Sequence, residues 1–215
     1  MKIYHYLPSV FAIENLKNRR LKISRLNDLN DPFEFGAADH SNEEQRIIWE
    51  HWKKQQNEKW GLICFSKTWN NPVLWSHYAD RHRGVCLGFK IPDNKVAQVK
   101  YTRSRLNINI LKLYQEGKLS GSHMLAISKT KHIDWKYERE ARVLTLLEDA
   151  DKETDLYFHP FGEDTQLTDI YIGPLCQETE DSIKRVLQPE DLQIPIVKTR
   201  IAHKTFNVVQ QDSKY

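Results

Sequence analysis

Cysteine is scarce in this sequence, and long apolar runs are absent. Its three cysteines, Cys64, Cys86 and Cys176, are widely spaced and odd in number, so we expect reduced thiols rather than a disulfide framework. No stretch approaches the roughly 20 apolar residues of a membrane span. The N-terminus also lacks the apolar core of a signal peptide. We therefore expect a cytoplasmic protein that has no membrane partner.

Several familiar catalytic and nucleotide-binding motifs are also missing. The sequence contains no G-x-x-x-x-G-K-[ST], G-x-G-x-x-G, H-E-x-x-H or G-x-S-x-G. Their absence argues against P-loop NTPases, Rossmann dehydrogenases, zincins and α/β-hydrolases. The formal net charge of +3 arises from 32 basic and 29 acidic residues, and by itself it gives no electrostatic case for nucleic acid.

Strand-like and helix-like patterns alternate irregularly along the chain. "KIYHYL", "WGLICFS", "GVCLGFKI" and "LTDIYIGP" favour strands, whereas helical patterns occupy residues 42–59 and parts of 99–130. This order predicts an α+β protein with mixed or antiparallel sheets and interspersed helices. We expect one compact domain over residues 1–215 with helical insertions at 42–59 and 99–130. The first insertion is predicted to be a surface helix with Ile47, Ile48 and Trp52 on one side.

Two glutamates, Glu138 and Glu140, stand at the start of an apolar alternation in "DWKYEREARVL". The strand period of two would place both on one face. Like charges this close repel, so the fold must supply a cation or use one acid as a base. The alternative is an exposed strand entrance, screened by Lys136, Arg139 and Arg142.

A second candidate lies in "CFSKTWNNPVLWSHYADRHRG", where Trp75, His77 and Tyr78 crowd a predicted helix start. Aromatic rings beside a histidine suit stacking on a planar ring such as a base or nicotinamide. The alternatives are core packing for Trp75 and a structural hydrogen bond for His77. His5, between two tyrosines, is by itself typical of a structural histidine.

The acidic loop "LNDLNDPFEF" offers carboxylates at Asp28, Asp31 and Glu34. Such oxygens could bind a metal ion, but no second cluster supplies matching ligands. Asn-Asp-Pro is above all a turn signature. We predict no metal cofactor.

Four stretches together resemble the bacterial domain of unknown function 2971 family. They are "NDPFE", "CFS…WSHYA…G", "WKYERE" and "IGP", and they fall between residues 3 and 174. The family name implies no activity.

A more distant resemblance is to ADP-ribosyltransferases, especially the DNA-targeting toxins. It implies a first strand carrying His5, a middle element carrying Tyr78 or its neighbours Ser76 and His77, and a later strand carrying the catalytic Glu140. Glu138 would complete an E-x-E pair. Such a fold would use NAD as substrate, and the reaction would pass through a cationic, oxocarbenium-like sugar. The remaining NAD-binding residues that the resemblance implies are Tyr6, Arg25, Ser66, Trp75 and Arg142.

In that scheme Tyr6 and Tyr78 would stack on nicotinamide, and His5 would hold the ribose. Glu140 would steady the sugar cation, and Arg25 or Arg142 would neutralise the diphosphate. The expected function is an NAD-consuming transferase or glycohydrolase, acting as a toxin or phage-defence effector. Its acceptor would be a nucleic acid or a protein, and an antitoxin could control it.

Two other classes of function stay open. The basic and aromatic stretches "RSRLNINILK" and "ISKTKHIDWKYERE" could bind or process nucleic acid. Alternatively, the acids and aromatic residues could organise a non-catalytic regulatory or partner-binding module. In that case alanine at Glu140 would change only stability.

Overall fold

The structure is a computed structural model, and it describes residues 1–31, 33–38 and 42–211. Strands and helices follow one another irregularly, which confirms the predicted α+β class. Short 3-10 helices occupy Leu26–Asp28, Asp93–Lys95, Ile133–Glu138 and Pro189–Asp191. The strands and α-helices in chain order are β1 (Lys2–Leu7), α1 (Ser9–Asn18), β2 (Arg20–Arg25), α2 (Glu43–Asn57), β3 (Trp60–Ser66), α3 (Pro72–Tyr78), β4 (Val85–Lys90), β5 (Ala97–Gln98), β6 (Lys100–Thr102), α4 (Ile110–Gln115), α5 (Gly121–Ser128), β7 (Thr130–His132), β8 (Glu140–Leu146), β9 (Tyr157–Pro160), β10 (Gln166–Ile172), α6 (Glu180–Lys184), β11 (Ile196–Ile201) and β12 (Val208–Gln210).

The chain divides into two compact units, each built from several segments. The first unit contains Met1–Lys22, Cys64–Val96 and Phe158–Tyr215, and the second contains Ile23–Ile63 and Ala97–Tyr157. The predicted single domain over the whole chain, with its two insertions, stays a prediction.

The first unit is organised by β4 and β1, which pair antiparallel from Lys2 opposite Lys90 to Leu7 opposite Val85. β4 pairs antiparallel with β10 on its other side. β10 in turn pairs parallel with β11, and β11 pairs antiparallel with β12. Apolar side chains of these strands are fully buried, among them Ile3, Leu87 and Ile170. Burial on both faces explains why "VCLGF" in β4 is a continuous apolar run rather than an alternation.

The second unit pairs β2 with β3 and β5 with β8, both antiparallel. β6 and β7 form a separate parallel pair. Helix α2 begins after Asn42, whose side chain accepts hydrogen bonds from the backbone of Glu44 and Gln45. Its buried side is formed by Trp49 and Trp52. The prediction that Ile47 shares this side is wrong, since Ile47 is 64% exposed.

None of the helices in the described ranges is both long and apolar enough to cross a membrane. The predicted cytoplasmic location stays a prediction.

Candidate functional site

Five charged side chains of the second unit meet in one buried ionic cluster, formed by Glu34, Lys131, Glu138, Glu140 and Arg142. Lys131 Nζ lies 2.9 Å from Glu34 Oε1, 2.7 Å from Glu138 Oε2 and 3.2 Å from Glu140 Oε2. Arg142 donates through Nε to Glu140 Oε1 at 2.7 Å and through Nη2 to both oxygens of Glu34 at 2.8 and 2.9 Å. Charged side chains are seldom buried unless they are paired in this way. Mutual pairing therefore accounts for the burial of these five charged side chains.

Local backbone geometry brings the two predicted glutamates to one cation. Glu138 ends the 3-10 helix Ile133–Glu138, and Arg139 then adopts a left-handed conformation with φ of 48°. The chain turns at Arg139, and Glu140 opens β8. Glu138 is therefore not on the strand, which corrects the prediction of two same-face strand positions. Both carboxylates nevertheless reach Lys131.

The alternative of an exposed strand entrance is wrong. Glu138 and Glu140 are only 4% and 5% exposed, and their cations are Lys131 and Arg142. Lys136 and Arg139, which that alternative proposed as screening charges, are themselves exposed. Of the three basic residues of that alternative, Arg142 pairs with Glu140 and belongs to the cluster.

Glu34 enters the cluster from a tight turn in the "NDPFE" stretch. Its backbone N–H donates to Asp31 O at 2.8 Å, while Asp31 Oδ1 accepts from the Phe33 N–H at 2.9 Å. This Asx-type turn fits the turn signature seen in the sequence. Pro32, which belongs to the same stretch, lies outside the described residues. The carboxylate of Glu34 pairs with Lys131 and Arg142 and is therefore a member of the ionic cluster.

The pKa of Lys131 is set by the three acids of the cluster. Burial alone would lower the pKa of Lys131, but the combined attraction of Glu140, Glu34 and Glu138 outweighs it and raises that pKa above its ordinary value. Burial also raises the pKa of the nearby Tyr101 to about 12. The Tyr101 hydroxyl accepts a hydrogen bond from the backbone N–H of Glu140 at 2.7 Å. At neutral pH Lys131 is therefore charged and Tyr101 is neutral.

A cavity of about 580 Å³ opens beside the cluster, and we call it the Trp135 cavity. Glu34 and Lys131 line it, so the ionic cluster reaches its wall. The ring of Trp135 forms another part of the wall, with its centroid 4.7 Å from Lys131 Nζ. Arg103 and Arg105 also line the cavity. A carboxylate, an indole ring and two guanidinium groups thus face one space large enough for a small ligand.

The predicted residues of the first unit fall into a different environment. His5 Nδ1 lies 2.7 Å from the carbonyl oxygen of Cys64, and burial lowers the pKa of His5. The Tyr6 hydroxyl donates to Thr68 O at 2.8 Å, and its ring packs edge-to-face on Trp75 with centroids 5.3 Å apart. Trp75 has no exposed surface, as the core-packing alternative predicts. The hydrogen bond to Cys64 likewise fits the structural alternative for His5.

The other predicted residues each have their own local contacts. His77 is exposed and lies beside Tyr78, with ring centroids 6.0 Å apart. Ser66 is buried, and its hydroxyl accepts from the Thr68 N–H at 3.2 Å. Arg25 of the second unit lies over the ring of Tyr157, 5.1 Å from its centroid. The NAD-binding roles of these residues stay predictions.

Sequence reasoning missed three members of the site: Glu34 as an ionic partner, Lys131 and Trp135. Each belongs to a quoted stretch, since Glu34 ends "NDPFE" and the other two lie in "KHIDWKYERE". The missed signal was the need for buried cations to match the two glutamates. Lys131 stands seven residues before Glu138 and lies in the short strand β7.

Fold and site together define an α+β protein with a buried acid–base cluster beside a cavity. Residues 74–143 match the model of a family described as "Protein of unknown function (DUF2971)", which confirms the resemblance to that family. No curated protein and no solved structure matches the chain. The resemblance to ADP-ribosyltransferases stays a prediction.

Proposed function

We propose that this protein is an NAD-consuming enzyme of the ADP-ribosyltransferase or NAD glycohydrolase type, and that the Trp135 cavity is its substrate site. The observation that carries the proposal is the position of Glu34, whose carboxylate belongs to the ionic cluster and also lines a cavity walled by Trp135. A fixed carboxylate facing a ligand cavity is suited to stabilising a developing positive charge.

The charge balance of the cluster supports this choice. Among the described side chains joined by these contacts, the three carboxylates of Glu34, Glu138 and Glu140 face the two cations of Lys131 and Arg142. Where Glu34 lines the Trp135 cavity, this excess of one carboxylate in the cluster favours a cationic sugar over a neutral one. Glu138 and Glu140 would fix the two cations.

The proposed reaction breaks the bond between ribose C1′ and the nicotinamide nitrogen. The bonding electron pair leaves with the nitrogen, which neutralises the pyridinium ring and leaves an oxocarbenium-like ribose. A hydroxyl or amine of the acceptor, or water, then forms the new bond at C1′ and loses its proton to the solvent. The indole of Trp135 would stack on the nicotinamide ring, as aromatic side chains do on planar heterocycles.

Nicotinamide release from labelled NAD tests the proposal. We expect release by the wild type, a large loss in Glu34→Gln and Glu140→Gln, and weaker NAD binding in Trp135→Ala, with partial recovery in Trp135→Phe. Tyr114→Ala, at an exposed aromatic residue on α4, is the matched control. Thermal melting of each variant separates loss of chemistry from loss of fold. Absence of NAD binding by calorimetry together with absence of nicotinamide release would overturn the proposal.

A second candidate function is the binding of single-stranded nucleic acid. The Trp135 cavity is lined by residues of both basic stretches noted in the sequence, Arg103 and Arg105 from one and Lys131 and Trp135 from the other. Cationic and aromatic side chains in one groove suit stacked bases and phosphates. Titration with single-stranded RNA and DNA at low salt would test it, because electrostatic binding is strongest there.

The role of toxin or phage-defence effector belongs to the same proposal and is supported by the resemblance alone. An acceptor screen with labelled NAD, protein and nucleic acid would identify the modified molecule.

A further inference from the structure

A second, smaller cavity of about 270 Å³ lies in the same unit, and we call it the Trp49 cavity. Phe33, Glu34, Gly36 and Arg105 line both this cavity and the Trp135 cavity. These four residues are therefore parts of the walls of both cavities. A dinucleotide bound across them would have one half in each cavity.

One face of helix α2 forms much of the Trp49 cavity. Arg46, Trp49, Glu50 and Lys53 all line it, at the i, i+3, i+4 and i+7 positions that share a helix face. Trp49 is buried and packs against Trp52, with ring centroids 5.3 Å apart. The helix face is thereby fixed in position, and it presents its charged side chains on a rigid support.

Positive charge predominates among the described residues of this cavity. Arg46 and Lys53 from α2 face Arg105 from the other side, and Arg105 lies over the ring of Phe33 and donates to Ala38 O at 3.3 Å. The acids that line it are Glu50 and Glu34, so the cations of this cavity exceed its acids by one. Guanidinium and ammonium groups arranged in this way suit phosphate oxygens.

We infer that the Trp49 cavity binds the diphosphate of a dinucleotide whose nicotinamide riboside half lies in the Trp135 cavity. The inference rests on the proposed function for the identity of the dinucleotide. It assigns Arg46, Lys53 and Arg105 to the phosphate oxygens. Arg105, which lines both cavities, would contact the ligand between its two halves.

Lys53 and its neighbour Lys54 provide a matched pair of variants. Both substitutions Lys53→Glu and Lys54→Glu change the net charge equally, but the side chain of Lys54 is exposed and about 100° further around the helix. Of these two lysines, only Lys53 lines the Trp49 cavity. A difference between the variants therefore reports a local contact rather than long-range attraction.

Calorimetric titration with ADP-ribose and with nicotinamide riboside, which lacks phosphate, tests the inference. We expect Lys53→Glu to weaken ADP-ribose binding by about tenfold or more, as loss of a charge-assisted hydrogen bond does. Binding of nicotinamide riboside should be unchanged, and Lys54→Glu should bind both ligands as the wild type does. Equal ADP-ribose affinity in Lys53→Glu and the wild type, or no binding of ADP-ribose to the wild type, would overturn the inference.

Failure of the inference and failure of the proposed function have different signatures. If the wild type binds ADP-ribose through Lys53 but never releases nicotinamide from NAD, the diphosphate site stands and the catalytic proposal fails. If nicotinamide is released with the same KM in Lys53→Glu and Lys54→Glu, the catalytic proposal stands and the diphosphate site fails.

Discussion

The guanidinium of Arg142 donates through one nitrogen to both carboxylate oxygens of Glu34, a residue 108 positions earlier in the chain. The same guanidinium donates through Nη1 to Ser128 O at 2.6 Å and through Nε to Glu140. Arg142 thus ties the "NDPFE" turn, the end of helix α5 and the start of β8 to one another. A guanidinium that donates through all three nitrogens cannot be replaced by lysine without losing contacts.

Substitution of Arg142 tests how much this arrangement stabilises the fold. In Arg142→Leu the carboxylates of Glu34 and Glu140 keep their burial but lose a cation, so we expect the free energy of unfolding to fall by about 3–5 kcal/mol. Urea denaturation measures the change. Lys136→Ala, at an exposed position nearby, should stay within about 0.5 kcal/mol of the wild type. A similar loss in both variants would contradict the special role of Arg142.

Tyr101 gives a spectroscopic report on the ionic cluster. Because burial raises its pKa to about 12, the folded protein keeps this phenol neutral above the ordinary tyrosine pKa of 10.0. The difference between wild-type and Tyr101→Phe tyrosinate absorbance should therefore show a midpoint near pH 12. Between pH 10.0 and about pH 12 the unfolded chain loses the Tyr101 proton before the folded protein does. The contribution of Tyr101 to the free energy of unfolding therefore falls as the pH rises. A midpoint at the ordinary value would place Tyr101 in solvent.

The lowered pKa of His5, in the first unit, predicts the opposite pH dependence of stability. Burial lowers its pKa, so the unfolded chain binds this proton more readily, and stability falls as the pH drops below about 6.5. Urea denaturation at about pH 7.5 and about pH 5.5 should show a smaller acid loss in His5→Gln than in the wild type, by at most about 1.4 kcal/mol per pH unit. Because His82 and His159 also have pKa values lowered by burial and are present in both proteins, the difference reports His5 alone. An identical acid loss in both proteins would contradict the lowered pKa of His5.

Gly173 lies where backbone segments approach closely at the end of β10. A Cβ atom there would lie 2.5 Å from His82 O and 2.7 Å from Gly84 O, distances that no side chain tolerates. We expect Gly173→Ala to destabilise the protein by about 1–3 kcal/mol, as overpacking does. Gly162→Ala in the same unit is the control, because its Cβ would meet no atom within 4 Å. Thermal denaturation of the two variants provides the comparison, and equal melting temperatures would contradict the close approach.

The sequence predicted the strands better than the site. "KIYHYL" and "WGLICFS" have strong β patterns, and they form β1 and β3 within a residue of the expected bounds. The predicted buried side of α2 was right for Trp52 and wrong for Ile47, because a few apolar positions on a polar helix do not define a face. Tertiary contacts decided which of them is buried.

The importance of Glu138 and Glu140 could be inferred from their spacing, whereas their partners could not. Two acids beside an apolar run predict a nearby cation, but spacing does not say which of 32 basic residues supplies it. Lys131 comes from the preceding short strand, and the link to Glu34 joins positions far apart in the chain. Only the three-dimensional path of the backbone brings such positions together.

The stretch that matches the family model, residues 74–143, holds four members of the ionic cluster but not Glu34. A fragment cut to those bounds would leave Arg142 and Lys131 without one of their acids and would lack part of the cavity wall. A shortened version of this protein should therefore keep the "NDPFE" turn, because the Glu34 carboxylate belongs to the ionic cluster as much as the acids Glu138 and Glu140 do.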